Sequence, residues 1–331
     1  MPASHVRLEG SDRPPRRDAV RVGDLRAGSP IEVTVSVRHP GLPTPGSPLT
    51  RAELEDRYSV SPDDTAAVRR FLGRFGLTVG VGSPATCSLV ARGTAAQIEA
   101  AFRPGLGVYR SAGGARYRGR EGHVEIPRAL RGIVTGVFGL DQRRVAHRRL
   151  RAAAAAPRVA GKAAPAPLGP AELERLYRFP AGDGEGQTIA IAEFGGGYFP
   201  DDVRRFCRRH GRDVPVITTV PVGLRPLTRE RIAALSADRR GEARGESREV
   251  MMDVQIVAGL CPRASIQMLF APFHQKGWVD LLDRAIALDP PPVTLSVSWG
   301  SAEDSDDWSP AARLAINHRL HAAAALGITV C

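Results

Sequence analysis

The chain has 331 residues, 43% of them hydrophobic and 24% charged, a composition that fits a folded globular protein with length for two domains. No apolar run approaches the ~20 residues of a membrane span, so no membrane partner is expected. The formal net charge of +11 is almost wholly arginine, with Lys162 and Lys276 the only lysines; no aromatic-and-basic stacking surface accompanies it, so no nucleic-acid partner is expected either.

Residues 1–20 are polar, rich in proline and arginine, and read as a loose N-terminal tail. Residues 31–37 alternate apolar and polar side chains strictly, the period of a half-buried strand. After a Pro/Gly loop over 40–48, Ser61-Pro62-Asp63-Asp64 opens a helix, with the serine as N-cap, proline in the first position and acids in the first turn. Its apolar face is Ala66, Val68, Phe71, Leu72 and Phe75, and Gly76 ends it. Strands are expected at 77–81 and 87–91, then a short helix capped by Thr94, then short strands around Val108-Tyr109 and at 123–125. Strand, helix, strand, strand, helix, strand is the ferredoxin-like, split βαβ order. Residues 127–140 read as a closing turn of helix and an apolar tail. Residues 146–167, carrying Ala152–Ala156, Pro157, Pro165 and Pro167, read as an accessible linker open to proteases.

From residue 168 the pattern changes. A helix at 170–177 and a Gly-rich turn at 182–186 precede a continuous apolar strand at 188–192. Helices at 200–210, 246–260, 278–288 and 310–326 alternate with strands at 216–220, 265–270, 293–297 and 328–330. Apolar strands alternating with helices argue for a doubly wound parallel sheet, where ligands collect at the carboxyl ends of the strands. Glu193, Trp299 and Gly300 fall just past such ends.

The acids Glu249 and Asp253 stand four residues apart and so share one helical face. Val250, Val254, Ile256 and Val257 flank them, which implies a largely buried helix. Buried, adjacent carboxylates are costly unless they share protons or partners, and such sites often do chemistry. The four cysteines have no ligand or disulfide spacing, so neither a metal site nor a disulfide framework is expected. His318 and His321 lack a third ligand and are expected on a solvated helix face; Asp304, Asp306 and Asp307 are expected in a solvated loop before the Ser309 N-cap.

In order along the chain stand Glu193, Gly195-Gly196-Gly197-Tyr198, the Glu249/Asp253 pair, Phe270-Ala271-Pro272, Ser296-Val297-Ser298-Trp299-Gly300 and the run Ala322 to Val330. This combination resembles the sedolisin family of serine-carboxyl peptidases, particularly its kumamolisin branch. Arg92-Gly93-Thr94 and Gly136-Val137-Phe138-Gly139-Leu140 are similar to that family's activation prodomain. The resemblance implies a subtilisin-like fold and a Ser-Glu-Asp set. Glu249 would be the general base, Asp253 the residue that orients it, and Glu193 and Trp299 an extension of the network. It divides the chain into the tail 1–20, a prodomain at 21–145, a linker with the processing site at 146–167 and a catalytic domain from 168. It also implies a peptide or protein substrate, the chain's own prodomain as partner, acid activity and an extracellular setting, although the N-terminus has no signal-peptide pattern.

The family's nucleophilic serine, in a Gly-Thr-Ser-Ala context, and its oxyanion aspartate, in an Ala-Gly-Asp-Ser-Gly context, do not occur in these 331 residues. Nor does its calcium loop, so no cofactor is expected on this chain. The expected architecture is therefore a ferredoxin-like prodomain followed by an incomplete subtilisin-like sheet, cut off inside the catalytic domain and inactive alone. The alternative is a non-catalytic product whose prodomain binds and inhibits a related peptidase.

Overall fold

The structure is a computed structural model, and it describes residues 4–43, 46–80, 82–145, 147–148, 168–302 and 305–331. The first elements are β1 (His5–Arg7), β2 (Ala19–Asp24), β3 (Pro30–Val37), α1 (Arg51–Tyr58), α2 (Pro62–Arg74), β4 (Thr78–Val79) and β5 (Ser88–Thr94). They are followed by α3 (Ala95–Phe102), β6 (Gly107–Ser111), β7 (Arg116–Gly119), β8 (Glu125–Pro127), β9 (Val134–Phe138) and β10 (His147–Arg148). Next come α4 (Pro170–Tyr177), β11 (Thr188–Glu193), α5 (Pro200–Arg209), β12 (Val216–Pro221), α6 (Arg229–Ala233), α7 (Ala237–Leu260) and β13 (Ser265–Phe270). The last are α8 (Gln275–Ile286), β14 (Thr294–Val297), β15 (Trp299–Gly300), α9 (Pro310–Ala325) and β16 (Thr329–Val330). They make two compact units that do not follow chain order. One combines residues within 1–146, 272–289 and 301–330; the other combines residues within 147–271 and 290–300 with Cys331.

The first unit is built on an antiparallel sheet of order β4-β5-β3-β9. β3 alternates, and each face has its own use. Ile31, Val33, Val35 and Val37 enter a core with Val68, Phe71 and Leu72 of α2 and Ile98 and Phe102 of α3. The polar face is covered as well, since Thr34 and Ser36 are buried. Thr34 donates to Asp280 of α8 at 2.7 Å, and Lys276 of α8 donates to Glu32 at 2.7 Å. The half-buried strand read from alternation is thus buried on both sides, because hydroxyl and carboxylate groups find partners on a helix. Arg319 of α9 makes paired bonds to Asp283 of α8 at 2.8 and 3.0 Å, and Ser88 donates to the same carboxylate at 3.1 Å.

Three expectations are corrected in this unit. The closing strand is β9, which pairs with β3, and not the segment at 123–125. Glu125–Pro127 instead pairs with β1 in a separate ribbon. β9 escaped notice because Gly136 interrupts its apolar pattern; there the Phe138 ring fills the space a Cβ would take, 2.5 Å from it. The N-terminal stretch is not loose: Leu8, Ser11 and Arg13 are buried, and Arg13 bonds the Asp141 carboxylate and the Asp307 carbonyl. In the loop before Ser309, Asp307 is likewise engaged, accepting from Arg16 at 2.9 Å, while Asp306 is exposed and Asp304 lies outside the described residues. Thr94 forms the expected cap, as a full capping box. Ser61 precedes α2 as expected but makes no side-chain capping bond.

The second unit holds a parallel sheet in which β12, β13, β11 and β14 lie side by side. Every residue of β11 is buried, as a central parallel strand covered on both faces must be. Val203 and Cys207 of α5 and Val250, Met251, Val254 and Ala258 of α7 pack with Ile191, Ile266, Met268 and Phe270 of the sheet. Cys331 joins β14 through backbone bonds to Val297 and Leu295 at 2.7 and 3.0 Å. α7 begins at Ala237, nine residues before the expected start, and Ile256 on it is 45% exposed. Most of the expected linker, residues 149–167, lies outside the described residues.

Candidate active site

β11 and β14 are adjacent and parallel, with Ala192 opposite Val297. Their carboxyl ends therefore bring Glu193 and the Ser298-Trp299 step to one edge of the sheet. The Trp299 indole Nε1 donates to Glu193 Oε2 at 3.1 Å, and the Trp299 ring meets Phe194 edge-to-face at 6.2 Å. α7 packs against the same sheet and supplies Glu249 and Asp253. Glu193, Glu249, Asp253 and Trp299 are 0, 1, 6 and 4% exposed. All four residues singled out from the sequence are thus buried in one unit.

A tight turn fixes strand to helix. Gly196 has φ of +73°, and a Cβ there would fall 2.6 Å from the backbone of Glu246 and Ser247. Only glycine permits that approach in that conformation. The Gly196 amide donates to Glu246 Oε2 at 3.2 Å and the Gly197 amide to Ser247 Oγ at 2.8 Å. The triple glycine is therefore a clasp between the end of β11 and the turn of α7 just before Glu249.

Electrostatics follow from burial. The Glu193 carboxyl is raised well above the ordinary range, first by burial and then by Asp253 and Glu249, against the indole bond that opposes the shift. The Asp253 carboxyl is pushed up to about 6 by burial, with the Ser298 hydroxyl opposing and Glu249 adding to the rise. Glu193 Oε1 and Asp253 Oδ2 are buried without a hydrogen-bond partner among the described residues. Burial and mutual repulsion both disfavour the charged forms of Glu193 and Asp253, so their titrations are coupled to each other and to Glu249.

Sequence reasoning gave no role to Ser298 or to the Glu246/Ser247 anchors. Their signals were slight: a serine beside a site tryptophan, and polar residues one turn ahead of the acid pair. One further feature borders the site. The backbone of β10 pairs antiparallel with β15, His147 opposite Gly300 and Arg148 opposite Trp299. Among the described residues no three His, Cys, Asp or Glu side chains are gathered as a metal site. No helix among them is long and apolar enough to cross a membrane.

The family model described as the pro-kumamolisin activation domain matches residues 31–143. Kumamolisin of Bacillus sp. (strain MN-32) is 32% identical over 344 residues, covering 98% of this chain and 60% of that protein. Tripeptidyl-peptidase sed5 of Aspergillus fumigatus is 27% identical over 341 residues, covering 88% of this chain and 55% of that protein. A solved Pseudomonas sedolisin, a serine-carboxyl proteinase complexed with two molecules of pseudo-iodotyrostatin, aligns at 21% identity and a TM-score of 0.37, over 49% of this chain and 42% of its own. The chain is homologous to the sedolisin/kumamolisin family of serine-carboxyl peptidases. Its homology takes in an activation domain and part of a catalytic domain, and it spans 60 and 55% of the length of the two curated relatives.

Proposed function

We propose that this chain carries the proton-handling half of an acid-active serine endopeptidase together with its activation domain. Glu249 is the general base. It takes the proton of a serine hydroxyl as that oxygen attacks a peptide carbonyl, then returns it to the leaving amine. Asp253, one helical turn on, orients Glu249, and Ser298 holds Asp253. Glu193, anchored by Trp299, stores a further proton. A carboxylate base suits acid conditions because base catalysis is best near the group's own pKa. The observation that carries this reading is the burial of Glu193, Glu249 and Asp253 at one sheet edge with the indole of Trp299 donating to Glu193.

The strand order β9-β3-β5-β4 supports a ferredoxin-like split βαβ reading of the activation prodomain. Parallel strands β12, β13, β11 and β14 with α7 behind them support a subtilisin-like catalytic sheet. Pairing of β10 with β15 supports a linker that enters the site edge as an extended strand, as a substrate peptide would, with processing within 146–167; homology to kumamolisin supports an extracellular setting for the released enzyme.

The serine and oxyanion-aspartate motifs do not occur in the 331 residues, so this chain alone is expected to release no peptide from a denatured protein at pH 4. A chain extended through both motifs is expected to do so, and Glu249→Gln in it to lower kcat/KM by about 10²–10⁴-fold. Equal activity of Glu249→Gln and its parent would refute the assignment of the base.

A further inference from the structure

Three histidines stand where the β3–β5 sheet meets α8 and α9. His39, just past β3, and His318 on α9 have ring centroids 4.3 Å apart, edge to face. The solvated face expected for His318 is thus a packed contact. His39 Nδ1 also lies 3.5 Å from Cys87 Sγ, and the Thr86 backbone hydrogen-bonds the same ring. Arg319, 1% exposed, stands beside both rings, its charge matched by Asp283. The third is His274, the N-cap of α8. Its Nδ1 accepts the Gly277 amide at 3.1 Å, which requires a lone pair on that nitrogen and so a neutral ring.

We propose that His39, His318 and His274 form a proton-operated latch, holding the β3–β5 sheet on α8 and α9 while the rings are neutral and letting it go in acid. Protonating His39 and His318 sets two cations ring against ring beside a buried arginine. Protonating His274 converts the acceptor that caps α8 into a donor facing another donor. α8 carries Lys276, Asp280 and Asp283, the groups that receive Glu32, Thr34 and Ser88, so loss of the cap loosens the helix on which those contacts depend.

The surrounding charges agree with this sense. His39 is lowered to about 4 by burial, then by His318 and Arg319. His274 is lowered to about 4 by burial, then by Lys276 and Arg118, with Asp141 opposing. His318 is lowered by burial, Arg319 and His321. A histidine that resists protonation in the closed form favours opening as pH falls from about 6.5 towards 4, by roughly 10²-fold for a shift of two units. The carboxylates at this surface divide. Glu32 is lowered on balance, Lys276 and Arg92 outweighing its burial, and it adds to acid opening only below about pH 4.5. Asp280 is raised by burial and opposes opening.

The latch rests on reading residues 31–143 as an activation domain, but its test reads opening and not hydrolysis. Hydrogen exchange of the full chain is followed from pH 7.5 to 3.5 as protection factors in β3, β5 and α8. Wild type is expected to lose protection with a midpoint near pH 5. A His39→Phe, His318→Phe, His274→Asn chain keeps the ring contact and an N-cap acceptor without titration, and its midpoint is expected below pH 4.5. The same midpoint in both chains would overturn the proposal. If the triple variant does not fold, side-chain NMR titration of the wild type decides: rings at positions 39 and 274 that titrate below 5 support the latch, and rings that titrate at 6–7 refute it.

Discussion

Asp253→Asn keeps the shape of the side chain and an oxygen to accept from Ser298, but removes its titration. Asp253 is 6% exposed and its carboxyl stands at about 6 against an ordinary 3.8. A raised carboxyl binds its proton more tightly in the folded state. Its contribution to stability is therefore complete below about pH 3.8 and is lost as pH rises through 6. A shift of about two units corresponds to about 3 kcal/mol. Wild-type protection of the β11 and β13 amides, corrected for intrinsic exchange, is expected to fall by about that much between pH 4 and pH 7. In Asp253→Asn the slope is expected to shrink to the part that Glu193 supplies, leaving the variant relatively more stable at pH 7 than at pH 4. A wild-type profile that is flat or rises with pH, or an unchanged slope in the variant, would refute the reading of a dry, proton-sharing site.

Two further changes probe what holds the units together internally. Lys276→Met removes a cation that is 7% exposed and bonded to Glu32 and Asp280. It leaves two carboxylates facing each other and is expected to cost about 3–5 kcal/mol at pH 7. The loss should shrink near pH 4 as those acids protonate, and urea unfolding followed through Trp278 and Trp308, which pack at 5.7 Å in the same unit, measures it. Gly196→Ala forces a Cβ into backbone at φ +73° and is expected to cost about 2–4 kcal/mol. Loss of thermal stability confined to the β11–α7 unit would mark the clasp as the point of failure.

How much of this was legible in the sequence depended on whether one local rule governed a segment. Residues 188–192 read as a buried strand because a central parallel strand has no polar face to display. Glu249 and Asp253 read as a pair because a separation of four fixes a common face whatever the helix packs against. The start of α7 was missed because residues 237–245 are polar and contain Gly241 and Gly245. There Ala243, Gly245 and Ser247 are buried, small side chains of the kind that let a glycine turn lie close to the helix. Thr34, Ser36 and Arg13 were read as surface groups and are buried. Thr34 and Arg13 bond groups 128 to 294 positions away, and no pattern within a window of sequence reports such a partner.

Acid acts with opposite sign on the two groups of buried ionisable residues. At the carboxyl ends of β11 and β14, burial raises Glu193 and Asp253, so lowering pH towards 4 stabilises the arrangement that holds their protons. Around α8 and α9, burial lowers His39, His274 and His318, so the same change strains the contact with the β3–β5 sheet. One physical cause, desolvation disfavouring the charged form, gives both results because carboxyls gain charge on losing a proton and imidazoles on binding one. Under the proposed function, an activation domain held closed near neutrality and a carboxyl base used in acid would call for this pairing of signs. If exchange showed both units losing protection together below pH 6, the carboxyl cluster would be no more acid-tolerant than the histidine contact. Desolvation would then not be what sets their titration.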